Sequence, residues 1–520
     1  MTIPSPSYDG FTLFATLGII AAMALAYLVV VPQRIDPKEP PMLRPRIPFV
    51  GHLVGLISLA HSYHRLQYNK YQMPICTLPI LGGKLYVINS PEFAQSAILN
   101  RSLSFEPYVT DFIRRMTDVG DKAMKIYEDP AFFSRWLKIV YSSLTGPHLL
   151  AVNSAALRVV VNELNELPVA GVDVPDLFLW ARDLISLAST TALFGDKNPW
   201  KLDPRLLDAY WDYERDIVAM MINIAPSITA PKAFRGRALM QKALTEYLAS
   251  EYDAGSDVPK FTRDRMELER EFGMTPSEMA GLEVAVIHGA ISNTIPTAYW
   301  MLVYVFSNPD LVAKLRAEAE TVVTETSRAG PGEEGRREVS IDISRLEQNC
   351  PLLFSTLRET QRFISNAVLN RKIMADTTIS DGKNSYLLKQ GFDLQISHGV
   401  THNLESVWGS NVRGFDSERF LDVAKPEDGL AVQPGAYTPF GAGKHICPGR
   451  FFASGEIMGF MVPLLLGFEL TDQKGGAITV PDATIPWITT PIAKPVAGSN
   501  LGARLHRRVG WENVVWNISQ

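Results

Sequence analysis

Apolar and polar positions are distributed unevenly from the start of the chain. Residues 11–31, FTLFATLGIIAAMALAYLVVV, run without a charge or a turn signal. At about 1.5 Å per helical residue such a run crosses a hydrocarbon layer of about 30 Å, which predicts one transmembrane helix. Only Asp9 is charged before it, unlike the basic start of a cleavable signal, whereas Arg34, Lys38, Arg44 and Arg46 follow it. That positive flank places everything downstream on the cytosolic side and leaves residues 1–10 as a lumenal N-terminus. Residues 32–48 carry six prolines and read as a stiff extended linker.

Past the linker the pattern is mostly helical, with a small sheet near the front. The segment ICTLPILGGKLYVIN, residues 75–89, predicts a hairpin turning at Gly82-Gly83. Ser90-Pro91-Glu92-Phe93 then reads as an N-cap with proline at the first helical position. Thr275-Pro276-Ser277-Glu278 is a capping box that opens an apolar stretch to Phe306, a helix of about thirty residues. Asn308-Pro309-Asp310 caps the next one. The glycine- and charge-rich stretch 324–340, TETSRAGPGEEGRREVS, predicts a solvated connection. No second linker follows Pro48, so residues 49–520 are expected to form one large domain, mainly α with a small β region.

Charge and cysteine content narrow the chemistry. A net charge of −5 with both signs interspersed leaves no basic stripe, which argues against nucleic acid as a partner. The three cysteines, Cys76, Cys350 and Cys447, are odd in number and far apart, against a disulfide framework and for a reducing compartment. Cys447 sits in FGAGKHICPGR, residues 440–450. Gly441 and Gly443 allow a tight turn, Gly449 leaves an unobstructed amide after the cysteine, and Phe451-Phe452 begins an apolar run suited to a helix. A sulfur at a helix N-terminus is favoured as a thiolate, and Pro448 fits the first turn. No second cysteine or histidine stands at zinc spacing, which leaves a buried thiol, a nucleophile or a single-cysteine metal ligand.

Phe440-x-x-Gly443-x-x-x-Cys447-x-Gly449 resembles the haem-binding signature of the cytochrome P-450 family. The resemblance covers the chain from about Pro41 to Pro495 and implies that family's fold, with residues 49–520 as a haem-thiolate catalytic domain. It implies haem b as cofactor, Cys447 as the axial thiolate on iron, Phe440 near the sulfur and His445 where a basic residue meets a haem propionate. Glu359-x-x-Arg362 is a second mark. The same spacing recurs elsewhere in the chain, and what distinguishes this copy is FDSERF at 415–420, whose Arg419 would complete a Glu-Arg-Arg network. These three residues are assigned to folding around the haem.

The long helix departs from the family pattern. His288 to Pro296, HGAISNTIP, stands where a small pair, an acid and a threonine relay protons to iron-bound dioxygen in most members. Here Ser292 replaces the acid and Asn293 the first threonine, so a relay would run through water or Thr294. SNTIPTAYW and Val368-Leu369-Asn370-Arg371 are similar to the sterol 7-alpha-hydroxylase and prostacyclin synthase branch, with Arg371 placed for a propionate. Pro296 is expected to bend the helix one turn beyond Asn293. The basic residue usually found four positions after a family tryptophan is absent after Trp136; Val140 stands there, with Lys138 or Arg135 as stand-ins. The tail 496–520 has no interpretation at this level.

The function implied is an anchored monooxygenase of the endoplasmic reticulum, single-pass with its catalytic domain in the cytosol. It would insert one oxygen atom from O2 into a terpenoid, sterol or other hydrophobic natural product of fungal-type secondary metabolism. Electrons would come from NADPH through a partner reductase, with Lys444 and Arg450 as docking charges. Two other readings remain open: a haem-thiolate isomerase or dehydratase acting on a preoxidised substrate without external electrons, and a haem-binding sensor. Asn293, His288, Ser365 to Leu369 and Pro486 to Thr490 are the candidate pocket residues.

Overall fold

In chain order, the elements that bear on the site begin with β1 (Ile75–Ile80), β2 (Gly83–Ile88), α1 (Pro91–Leu99) and β3 (Leu103–Ser104). Next come α2 (Pro130–Ser143), α3 (Gly146–Asn165), α4 (Leu177–Phe194), α5 (Arg205–Arg215), α6 (Lys260–Glu271), α7 (Pro276–Ile291), α8 (Thr294–Phe306) and α9 (Pro309–Ala319). The last part holds β4 (Val323–Arg328), β5 (Arg337–Asp342), α10 (Pro351–Ile364), β6 (Val368–Ile373), β7 (Asp393–Ser397), α11 (Arg450–Gly467) and β8 (Val514–Ser519). This computed structural model describes residues 18, 21, 36–45, 50–81, 83–328, 337–365, 368–421, 432–484, 491–496, 498–499 and 501–519. Apart from positions 18 and 21, the expected span 11–31 lies outside the described residues, with the lumenal terminus 1–10, parts of the linker and residues 486–490.

The residues divide into two compact units. One holds the described residues up to Phe105 together with Val368–Thr401 and Pro434–Ala436. Its centre is a five-stranded sheet of order β1-β2-β7-β6-β3. The expected hairpin pairs Ile75 with Ile88 through Ile80 with Gly83. Ser90 caps α1 as expected, its hydroxyl accepting from the Phe93 amide, and Phe93, Ala94 and Ala97 pack on Ile75, Tyr86 and Ile88. Period-two alternation on the strands and 3.6-residue periodicity on α1 thus bury one shared apolar face.

The other unit holds Glu106–Ala367, His402–Gln433 and Tyr437 to the C-terminus, and is mainly helical. The expected capping box is present: Thr275 Oγ1 accepts from the Glu278 amide, and the Glu278 carboxylate accepts from the Thr275 amide. The thirty-residue helix is not continuous. It is two helices, α7 and α8, interrupted at Ser292-Asn293, where Asn293 has φ −106°. Pro296 lies one turn after the break, and its missing N–H removes the donor that the Ser292 carbonyl needs. The interruption therefore falls on the N-terminal side of the proline, not beyond Asn293. Thr297 partly replaces the lost bonding by donating to the Asn293 carbonyl from both its amide (3.2 Å) and its hydroxyl (2.7 Å).

Helix α8 is buried on nearly every side, as its all-round apolar sequence requires, and α9 starts at the expected Asn308 cap. Among the described residues two helical stretches, Leu177–Lys197 and Arg450–Gly467, are long and apolar enough to cross a membrane. Both contribute side chains to the main core of this unit.

Two regions differ from expectation. Within 324–340 the described residues are not a plain connection: they belong to β4 and β5, which pair antiparallel. The uninterpreted tail carries β8, which adds parallel to β5 with Val514 opposite Arg337 and Ser519 opposite Asp342. The Asn165 amide at the end of α3 clamps Trp516, donating to its carbonyl (3.0 Å) and accepting from its N–H (2.9 Å). Trp511 stacks on Trp516 at 5.4 Å, so aromatic burial and main-chain bonding together hold the tail down.

Candidate functional site

Cys447 lies between a glycine turn and the start of α11. Gly441 and Gly443 take φ of 76° and 66°, values that strain any residue bearing a Cβ, and a short 3₁₀ turn spans Gly443–His445. The chain then folds back so that the Cys447 amide donates to the Phe440 carbonyl at 2.8 Å. Tyr141 of α2 ties the loop from outside, its hydroxyl donating to the Ile446 carbonyl at 2.9 Å. Helix α11 starts at Arg450 with Gly449 as its cap, so Pro448 precedes the cap and does not occupy the first turn. Burial pushes the Cys447 thiol up, while the backbone N–H groups of Gly449 and Arg450 and the Arg450 charge pull it down. Burial is the larger effect and the thiol stays raised; the two amides at the helix N-terminus would support a thiolate once a metal shares its charge.

Glu359, Arg362 and Arg419 are brought together. Arg362 forks onto Glu359 with two bonds of 2.7 Å, and Arg419 Nε donates to the same carboxylate at 3.0 Å. The Asp416 amide adds a bond at 3.1 Å, and the remaining donors reach the carbonyls of His402, Trp408 and Asn411. Glu359 and Arg362 are fully buried, so only this near-complete set of partners makes the charges tolerable. The network fastens α10 to the meander that leads into the cysteine loop. His402 and Tyr437, whose hydroxyl donates to the Arg358 carbonyl at 3.1 Å, are supports that no motif in the sequence marked, and Asp416 is one inside FDSERF whose part was not foreseen.

At the helix break Asn293 is half-buried, whereas Ser292 and Thr294 are buried. The Thr294 hydroxyl donates to the Ala290 carbonyl at 2.7 Å, which commits it to the backbone. His288 accepts or donates at Nδ1 with the Tyr210 hydroxyl at 3.2 Å, and burial, reinforced by Lys494, pushes its pKa down to about 3. Lys494 pairs with the buried Glu214 of α5 and lies over the Trp211 ring at 5.2 Å. Tyr210, Glu214 and Lys494 were not foreseen, because only the tertiary fold brings α5 and residues 491–496 beside α7.

Other expected residues fall elsewhere. Arg135 is bound to Glu271 of α6 through two bonds of 2.6 Å, which removes it as a substitute for the basic residue after Trp136; Lys138 is exposed. His445 is half-buried at the end of the 3₁₀ turn. Arg371 belongs to the sheet unit, on β6, where burial pushes its pKa down to about 10 and it donates to the Asn370 carbonyl at 2.8 Å. Lys444 is exposed beside Glu106, whereas Arg450 is held inward, donating to the Cys447 carbonyl at 3.0 Å.

The residues present fit a haem held by a thiolate. Besides the Cys447 sulfur, one face of α7 is open: Gly289 is exposed and Ala290 and Asn293 half-buried, while Val284, Ile287 and Ile291 are buried. A Cβ added at Gly289 would meet nothing within 4 Å, so a flat ligand has room on that face.

Fold and loop together define a mainly helical protein with a cysteine held at the head of a helix, in a loop suited to a metal ligand. The comparisons with known proteins make this specific. Residues 209–494 match the family model for Cytochrome P450. A cytochrome P450 monooxygenase of Gibberella zeae is 34% identical over 505 residues, 96% of this chain and 95% of that protein. The monooxygenase nodJ of Hypoxylon pulicicidum is 29% identical, covering 89% and 88% of the two chains. A cholestane-diol 12-alpha-hydroxylase of Sus scrofa is 22% identical, covering 90% and 93%. The chain belongs to the cytochrome P450 family and is a monooxygenase of that family, whose cofactor is haem with a cysteine-thiolate iron.

Proposed function

We propose that this enzyme is anchored in the endoplasmic reticulum membrane by residues 11–31. Its reaction inserts one oxygen atom from O2 into a sterol, terpenoid or similar apolar natural product of fungal secondary metabolism. The observation that carries the reading is that the same unit holds the Cys447 loop and a long helix broken at Ser292-Asn293, with no acidic or basic side chain within a turn of the break. Cys447 would hold the iron, His445 and Arg371 the propionates, and Glu359, Arg362 and Arg419 the frame behind the loop. Haem bound through this thiolate supplies the activation of dioxygen, with electrons passed from NADPH by a reductase that meets the exposed Lys444.

The residues of the chain do the rest. Asn293, with no carboxyl beside it, orients water by hydrogen bonding and does not itself give up a proton. His288 stays neutral, so the charges near it are those of the Lys494–Glu214 pair. The name of the cholestane-diol 12-alpha-hydroxylase among the relatives supports a sterol-like apolar substrate. A haem-thiolate isomerase is the second reading, favoured because Ser292 replaces the acid and the Thr294 hydroxyl is already used.

Purified protein with a reductase and candidate sterols and terpenoids separates the two. Product formation that requires NADPH and carries label from isotopic dioxygen is expected. Equal turnover without NADPH overturns the monooxygenase reading of the substrate reaction.

A further inference from the structure

Beside the cysteine loop, on the side of α3, α10 and α11, lies a half-open cavity of about 580 Å³, inside the range of small-molecule sites. Leu149 and Leu150 of α3, Phe354 of α10 and Phe440, Phe451 and Met458 around the loop give it apolar walls. Two cations also line it. Arg358 lies across the Phe354 ring at 4.5 Å, and Arg450 across the Phe451 ring at 4.1 Å.

Neither guanidinium has a carboxylate partner among the described residues. The single bond of Arg450 goes to the Cys447 carbonyl. Neighbouring arginines behave otherwise: Arg316, Arg362 and Arg419 each reach a carboxylate. Two half-buried guanidinium planes spread on phenylalanine rings are positioned for an anion and poorly supplied with one. Glu347, the acidic residue of the lining, is exposed at its edge. Asn153 contributes a third polar group. It is 7% exposed, and Gly455 leaves the space its amide occupies; its Oδ1, without a hydrogen-bond partner among the described residues, is an acceptor that suits a water or hydroxyl and not the carboxylate itself.

We propose that this cavity is a binding site for a carboxylate-bearing apolar molecule, such as a medium-chain fatty acid. Its carboxylate accepts from Arg358 and Arg450, and its hydrocarbon body lies against Leu149, Leu150 and Met458. Phe440 and Arg450 also hold the Cys447 backbone, so an occupant here touches the support of the thiolate from outside the substrate pocket. The site is independent of which substrate the enzyme oxidises.

Dodecanoate titrated calorimetrically into the full-chain holoprotein tests the proposal, with clotrimazole already bound so that the distal side is closed. One-to-one saturable binding is expected, with 1-dodecanol about tenfold weaker or more because it lacks the charge. Arg358→Gln should weaken dodecanoate about tenfold and leave 1-dodecanol unchanged, and Arg358→Glu should reverse the preference toward dodecylammonium. Leu150→Trp should remove binding of both by filling the apolar end. The carbon monoxide spectrum and urea midpoint of each variant report whether it is folded. No dodecanoate binding in the wild type, or binding that all three variants leave unchanged, overturns the site. So does a loss in Arg358→Gln that affects only binding of the reductase, since the arginine would then serve an acidic protein.

Discussion

The cysteine loop and the break between α7 and α8 would meet the same need under the proposed function, a polar group presented beside a cofactor, and they are built by opposite means. The loop does it with main chain. Its two left-handed glycines, the 2.8 Å bond from Cys447 to Phe440 and the amides of Gly449 and Arg450 all lie within eleven residues. At the break the main chain is opened instead, and what surrounds His288, just before it, is assembled from α5, α7 and residues 491–496. A locally closed device specifies a chemistry; an open one, completed by distant segments, specifies a substrate. Removing the thiolate should therefore abolish all turnover, whereas changes at the break should redirect it.

Cys447→Ala is the most drastic way to test that division. Activity is expected to fall to background, with no thiolate-type band in the reduced carbon monoxide spectrum. Residual NADPH-dependent turnover would show that the loop does not carry the chemistry. A smaller effect is expected where the loop is only supported. Arg419→Leu leaves Glu359 buried with Arg362 and one amide, and a broken buried pair costs about 3–5 kcal/mol. Urea unfolding of the holoprotein should show that loss; a change under about 1 kcal/mol would mean that the network is not needed to hold α10 to the meander.

Glu456 carries the comparison into the helix behind the loop. It is buried on α11, bonded to Ser189 Oγ at 2.7 Å, and burial pushes its pKa up to about 8. A carboxyl raised above its unfolded value binds its proton more tightly in the native state, so stability is fullest below about pH 4.5 and is lost as pH rises toward 8. Glu456→Gln should remove a decline on the order of a few kcal/mol between those limits, read from urea midpoints at several pH values. An unchanged slope would assign the pH dependence to other groups.

What was legible in the chain follows the same division. The hairpin, the Ser90 cap, the Thr275 capping box and the cysteine turn are local, each decided by residues within a few positions, and they appear where the sequence placed them. The helix break was placed a turn too late because proline acts on the carbonyl four residues before it. The tail was opaque for a different reason. Its strand pairs with Arg337–Asp342, more than 170 residues earlier, and its clamp, Asn165, lies 351 positions from Trp516. No period in either segment announces that partner. Tyr210, Glu214 and Lys494 were hidden likewise, as polar residues on separate elements that gain meaning only together.

The smallest expected effect tests the break most directly. Pro296→Ala supplies the N–H that the Ser292 carbonyl lacks, and one recovered backbone bond is worth about 1 kcal/mol. If the proline holds the helix open, the variant should gain roughly that much stability while Asn293 is drawn into a regular turn. Product formed per NADPH consumed should then fall, with haem content and the carbon monoxide band unchanged, because the loop on the other side is untouched. The two hydrogen bonds that Thr297 donates to the Asn293 carbonyl offer a rival cause, since they can fix the main chain without the proline. Thr297→Val separates them: if it alone lowers the coupling and Pro296→Ala does not, the hydroxyl and not the missing amide keeps the helix open.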